Sequence, residues 1–360
     1  MKVDVSEIKT FKSCRRQWQL SSRNKFHMRP IVTPPQFALG TIFHESLAQL
    51  YLGVSYDKVM AMVRREMQTD NDAALLAMIP GYYKNVLPGD LDRFKVLDIE
   101  HHFEIAPKTS DGEYLFPLEP VVNTATGEVQ YDANGDPLMV SSLLVCGSID
   151  MIVLDEAQNK IYGFEHKTCK SFRDESYLWM DEQPRVYTWA LKEYVEEYNA
   201  KQRMKWQQEY EAVCRGEGVE PGDSGIIFRD PPQPVTLGGV YLNEVKKLLR
   251  KFQYQRTLCT YTDEDLDNFM RSFFEDCLSC KHAVDSNSYA APKPSYFNCN
   301  MCSFKTICTT YMYANLDKTE VLDEFKEEFV ERTEDHLEEK AERSTRDENE
   351  CSKSSGTRGV

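Results

Sequence analysis

No stretch of this chain approaches the roughly 18–20 consecutive apolar residues that a membrane-crossing helix needs, which excludes an integral helical membrane protein. No apolar signal core follows Met1 in Met1-Lys2-Val3-Asp4-Val5-Ser6-Glu7, so a cytoplasmic protein is expected. No internal repeat is present, which excludes a repeat architecture. Basic residues are scarce: 43 Lys and Arg face 58 Asp and Glu, for a net charge of −15. That balance excludes a protein drawn onto nucleic acid by its global charge. A local basic groove is still open to it, because residues 316–360 hold fifteen acids and eight bases, so −7 lies in that tail and −8 elsewhere.

What is present is globular. The 360 residues are 41% hydrophobic and 28% charged, enough for one large core or two. Eleven cysteines in a cytosolic chain suit thiols or metal ligands better than disulfides. The pattern predicts a helix over 6–20 capped by Ser6 and an amphipathic helix over 37–52 through Ile42, Phe43, Leu47, Leu50 and Tyr51. One or two helices follow over 56–88, ending near Pro80-Gly81. Strands are expected at 95–105, 142–154, 160–168 and 238–246, with helices over 177–212 and 263–278. Residues 106–141 are rich in turn formers and read as an inserted hairpin or long loop. The main domain is expected to span 1–315, followed by an acidic amphipathic helix over 316–343 and a disordered tail over 344–360.

Asp150 and Glu165-His166-Lys167 flank a polar turn between two apolar strands. Alternation puts Glu165 and Lys167 on one face. With Asp150 opposite, two carboxylates and an ammonium converge. Such a set holds a hard divalent cation, and a neighbouring lysine can orient water and offset developing negative charge. A solvated strand face would carry similar residues, but the apolar strands on either side argue for burial. His44 adds an imidazole, which favours Mn²⁺ over Mg²⁺. Gln183 and Tyr187 lie four apart, on one helix face. Cys299-Asn300-Met301-Cys302 has metal-ligand spacing, and Cys308 adds a third sulfur. A fourth could come from Cys14, Cys277 or Cys280, and spacing does not separate zinc from a 4Fe–4S cluster.

In this order Gly40-x3-His44, Gly147-x2-Asp150, Glu165-x-Lys167 and Gln183-x3-Tyr187 resemble the RecB-like branch of the PD-(D/E)XK nucleases. With Cys14 before them and Cys299, Cys302 and Cys308 after, the chain is similar to the iron–sulfur subset, which includes CRISPR-associated RecB-like exonucleases and the AddB nuclease domain. The resemblance covers about residues 5–312. It implies an α/β fold, a restriction-endonuclease-like mixed central sheet flanked by helices, with a cysteine metal-cluster clasp joining the N- and C-terminal ends.

The resemblance also implies roles. His44, Asp150, Glu165 and the backbone carbonyl of His166 would bind Mg²⁺ or Mn²⁺, and Lys167 would orient the attacking water. Gln183 and Tyr187 would contact DNA or support the site. Cys14, Cys299, Cys302 and Cys308 would hold a 4Fe–4S cluster, with zinc as the alternative. The expected activity is an exonuclease on single-stranded or end-bearing DNA, in recombination, repair or processing. The alternatives are a non-catalytic DNA-binding scaffold, or a nuclease subunit active only with a helicase, recombination or CRISPR-adaptation partner. No Walker motif is present, so a fused helicase is not expected. Arg15, Arg16, Lys170, Lys246, Lys247, Arg250 and Lys251 are candidate phosphate contacts.

Overall fold

The computed structural model describes residues 1–32, 35–67, 73–109, 111–123, 126–214 and 230–332. In chain order the elements are β1 (Lys2–Val3), α1 (Val5–Ser13), α2 (Arg15–Ser21), β2 (Met28–Pro30), α3 (Pro35–Tyr51), α4 (Tyr56–Glu66), α5 (Leu75–Asn85) and α6 (Leu87–Arg93). Then come β3 (Lys95–Ile105), β4 (Leu118–Pro120), β5 (Met139–Ser141), β6 (Leu144–Asp155), β7 (Lys160–Cys169), α7 (Glu175–Met180) and α8 (Glu182–Cys214). The last are β8 (Thr236–Lys246), β9 (Tyr254–Cys259), α9 (Asp263–Asp285), α10 (Tyr296–Met301), α11 (Lys305–Thr310), α12 (Lys318–Glu324) and β10 (Phe329–Glu331). They form two compact units. One takes Met1–Ala38, Glu100–Ser148 and Asp263 onward; the other takes Leu39–Ile99 and Ile149–Thr262.

In the second unit, β6 and β7 are an antiparallel hairpin, with Met151 opposite Phe164 and Asp155 opposite Lys160. α7 and α8 carry the chain across to β8, which runs parallel to β7. β9 returns antiparallel to β8. Side chains of β7 alternate between faces. Tyr162 and Phe164 pack into a core with Phe43 and Leu47 of α3, Met78 and Tyr82 of α5, and Phe94 just after α6. Gly163 faces the other way, toward Leu191 of α8. The sheet is mixed and has helices on both faces. Pro80 sits inside α5 rather than ending it. Met78, Ile79 and Tyr82 are buried around it, and that packing outweighs the lost backbone hydrogen bond. β9 had no clear period in the sequence, because Gln255, Arg256 and Thr257 interrupt its apolar positions.

In the first unit the expected helix over 6–20 is two helices. Asp4, not Ser6, caps α1 by accepting from the Glu7 N–H at 2.8 Å. Cys14 is extended and breaks the helix. The bend lets Trp18 pack edge-on against Phe11 and donate to Glu7 at 3.2 Å. The inserted segment carries a short antiparallel pair, β4 with β5.

The helix expected over 316–343 is also corrected. α12 ends at Glu324, and Phe329–Glu331 forms β10, antiparallel to β2. Val321, Phe325 and Phe329 bury against Leu20, Phe26, Met28, Phe304 and Ile307. A continuous helix could not bring Phe329 onto β2. Residues 333–343 and the tail expected over 344–360 lie outside the described residues. No helix among the described residues is long and apolar enough to cross a membrane.

Candidate active site

The hairpin ladder stops at Met151 and Phe164. One step beyond, the Asp150 side chain replaces the ladder: its Oδ2 accepts from the His166 backbone N–H at 2.7 Å. The same oxygen lies 3.2 Å from His44 Nδ1. His44 arrives on α3, which approaches β7 through Gly40; a Cβ there would lie 3.8 Å from Thr168 Oγ1. Glu165 Oε1 pairs with the Lys167 ammonium and accepts from Gln183 Nε2 at 3.0 Å. Gln183 also donates to the Tyr187 hydroxyl at 2.9 Å, one turn along α8. His44, Asp150, Glu165, His166, Lys167, Gln183 and Tyr187 therefore form one connected set within the second unit.

Its electrostatics are those of a buried acid cluster. Burial, then the Asp150 charge, pushes the Glu165 carboxyl up to about 7, against the pull of Lys167. Burial works against charge on His44 and Lys167, but Asp150 and Glu165 together leave both raised. Glu165 Oε2 is buried and has no hydrogen-bond partner. A buried, unpartnered carboxylate oxygen beside a second carboxylate is costly unless a proton or a cation joins them. The donor set of imidazole nitrogen and carboxylate oxygens suits a divalent ion such as Mn²⁺ or Mg²⁺.

The sequence did not reveal what stands behind His166. Its ring is stacked with Tyr51 and edge-on to Tyr82, and burial first of all drives its pKa down to about 4. Asn243 Oδ1 accepts from Arg256 Nε at 2.7 Å and from the Tyr254 hydroxyl at 2.9 Å. The Asn243 amide nitrogen is thereby the donor, 3.3 Å from His166 Nδ1. This fixes the neutral ring with its proton on Nε2. Asp90 closes the chain, accepting from Arg256 Nη1 and Nη2 at 2.6 and 2.7 Å. Arg173 likewise bridges Glu244 and Asp181, at 2.9 and 3.0 Å. Asp90, Asn243 and Arg256 are isolated polar residues with no spacing signal.

In the first unit, Cys14 lies at the α1–α2 break, Cys299 in α10, Cys302 just after it and Cys308 in α11. Burial pushes the Cys302 thiol up, and Cys14, Cys308 and Cys299 reinforce the shift. These four sulfurs are therefore electrostatic neighbours. Cys277 and Cys280 are fully buried in α9, where burial raises both thiols. Of the candidate phosphate contacts, Arg15, Lys170, Arg250 and Lys251 are exposed, and Lys246 lies over the Phe172 ring. Arg16 is corrected: it is only 1% exposed and is no surface cation.

The sequence model of the PD-(D/E)XK nuclease superfamily matches residues 3–309. The chain belongs to this superfamily, which points to metal-dependent hydrolysis of phosphodiester bonds with DNA as substrate. No curated protein matches the chain. Among solved structures, one titled "Crystal structure of SSO0001" aligns at 12% identity over 85% of each chain with a TM-score of 0.28. That likeness is too slight to bear on fold or function.

Proposed function

We propose that this protein is a metal-dependent DNA exonuclease of the RecB-like branch, acting on single-stranded or end-bearing DNA in recombination, repair or processing. The buried, unpartnered Glu165 Oε2 carries the reading. His44, Asp150, Glu165 and the His166 carbonyl would hold a divalent ion, which would supply Lewis-acid activation of the phosphate and of water. The residues around it do the positioning. Gln183 and Lys167 hold Glu165 Oε1 and leave Oε2 as the open oxygen. The His166 N–H holds Asp150 Oδ2. Lys167 orients the attacking water and stabilises charge that grows on the phosphoryl oxygens. Tyr187, with Gln183, supports the site or contacts DNA.

The test is cleavage of 5′- and 3′-labelled single- and double-stranded DNA with Mn²⁺ or Mg²⁺, beside a circular control. Linear DNA is expected to be degraded and the circle left whole. Lys167→Ala should lose about 10²–10³ in rate, as removal of one positioned donor does elsewhere. Asp150→Ala should be inactive. Wild-type rates in either variant would overturn the site, and cutting of the circle would overturn the exonuclease assignment.

The reading includes a second centre, a 4Fe–4S cluster held by Cys14, Cys299, Cys302 and Cys308. Their mutual electrostatic influence supports it. Anaerobically purified protein should be brown and contain iron and sulfide, and Cys302→Ala should be colourless. A colourless wild-type protein with stoichiometric zinc would refute iron.

A further inference from the structure

Just past the site the chain reverses its overall charge. Residues 245–262 hold five bases, Lys246, Lys247, Arg250, Lys251 and Arg256, and no acid, in a chain of net charge −15. The β7–β8 register sets where this stretch begins: Lys167 lies beside Glu244, and Cys169 beside Lys246. At ~3.3 Å per residue, Lys246 lies roughly 7 Å further along the sheet than Lys167.

An open cleft of about 620 Å³ lies within the second unit, and Phe172, Phe252, Tyr254, Asp90 and Arg256 are in its lining. That volume is in the range of sites that take small organic rings. The charges in the lining cancel, because both terminal nitrogens of Arg256 donate to Asp90. Aromatic rings supply the rest. Phe252 and Tyr254 lie two residues apart, with ring planes 9° apart and centres 6.3 Å apart. α5 leaves room for Phe252 with bare backbone: a Cβ on Gly81 would lie 2.4 Å from the ring. The Lys246 ammonium sits 4.3 Å from the centre of the Phe172 ring. Rings that merely filled the core would be sealed like Phe43 and Phe164, yet Phe172 and Phe252 are only partly buried. Lys170, Arg250 and Lys251, one or two residues from these rings, are exposed.

We propose that this cleft is a stacking subsite for an unpaired base of single-stranded DNA, with Lys246 and its basic neighbours holding the phosphates that flank the base. This rests on the nuclease reading above and names which part of the strand the protein grips. A neutral aromatic lining suits a flat, uncharged base. Cations beside it suit phosphate, and the two together hold a strand whatever its sequence. A base inside a duplex has no free face to offer, so the subsite takes single strands. Phe172, Phe252 and Lys246 touch no reacting atom in this account; they bind the strand.

The test is oligonucleotide binding in EDTA, where nothing is cut. The probes are a short oligothymidylate, an abasic oligomer of the same length and a blunt duplex. Phe172→Ala and Phe252→Leu should each bind oligothymidylate about 5- to 150-fold more weakly than wild type, the loss expected for one base–aromatic stack. Phe252→Leu keeps an apolar side chain against Gly81, and thermal melting checks that both variants stay folded. The abasic oligomer keeps the phosphates without the bases, so wild type and both ring variants should bind it alike. The duplex should not distinguish them either. Lys246→Ala should weaken binding of both oligomers and lower the salt slope by about one. Equal weakening toward oligothymidylate and the abasic oligomer would make the rings merely structural and overturn the subsite. So would wild-type affinity for oligothymidylate in either ring variant. If wild type still degrades linear DNA in that case, the nuclease reading stands without the subsite. Wild-type protein that neither binds nor cuts DNA would overturn both.

Discussion

Glu165 has one committed oxygen and one open oxygen, and that asymmetry has a pH consequence. Its carboxyl titrates near 7 without metal, chiefly from burial. A ligand must be deprotonated, so metal binding there releases a proton. Mn²⁺ affinity should fall as pH drops from 8 to 6; Glu165→Gln should lose most of the affinity and keep a shallower fall, because His44, raised by Asp150 against burial, still takes up a proton. Stability of the metal-free protein has the same cause. A carboxyl raised in the folded state favours folding at low pH, and that contribution is lost as pH rises through about 7. Added Mn²⁺ should recover it, which thermal melting at pH 6 and 8 would check. The residues that meet here were legible because each sits in a short local pattern. Asp90, Asn243 and Arg256 were not, since a single polar residue in an apolar strand or helix has no partner within a few positions. Arg16 was misread for a related reason: sequence shows a charge but not whether the fold buries it.

At the level of elements, β8 carries a one-residue irregularity. Ile161 pairs with Leu237, but Tyr162 pairs with Gly239. The extra residue flips the strand's phase. From there on His166 lies beside Asn243 and Lys167 beside Glu244. Without it, Leu242 rather than Asn243 would lie beside His166. Gly239 makes the irregularity possible. Its φ is +114°, and a Cβ would lie 2.5 Å from the Cys259 carbonyl oxygen. Gly239→Ala should therefore cost about 1–3 kcal/mol in denaturant unfolding, from strain and overpacking. The loss of activity should exceed what the unfolded fraction explains. The hairpin and α3 could be read from period and turn composition. The irregularity could not, because Gly238-Gly239 looks like any flexible pair. Nor could the break at Cys14, which depends on Trp18 folding back onto Glu7 and Phe11.

For the whole chain, the two units differ in how their pieces lie along the sequence. The first draws on three separated stretches, the second on two. Composition announced a globular protein and the turn-rich segment over 106–141, but a unit assembled from distant stretches leaves no local mark. The small core of Leu20, Phe26 and Met28 with Phe304, Ile307, Val321, Phe325 and Phe329 is the clearest case. A chain ended at residue 262 should bind a hydrophobic dye that the full chain does not, and Leu20→Ala should reduce that binding. The same layout has a cost in time. Translation adds about 5–20 residues each second. Val321 follows Leu20 by 301 positions, so roughly 15–60 s pass before the apolar residues near the start meet those that cover them. During that interval the nascent chain depends on the ribosome and on chaperones, and a pause between residues 30 and 300 prolongs its exposure rather than helping it fold.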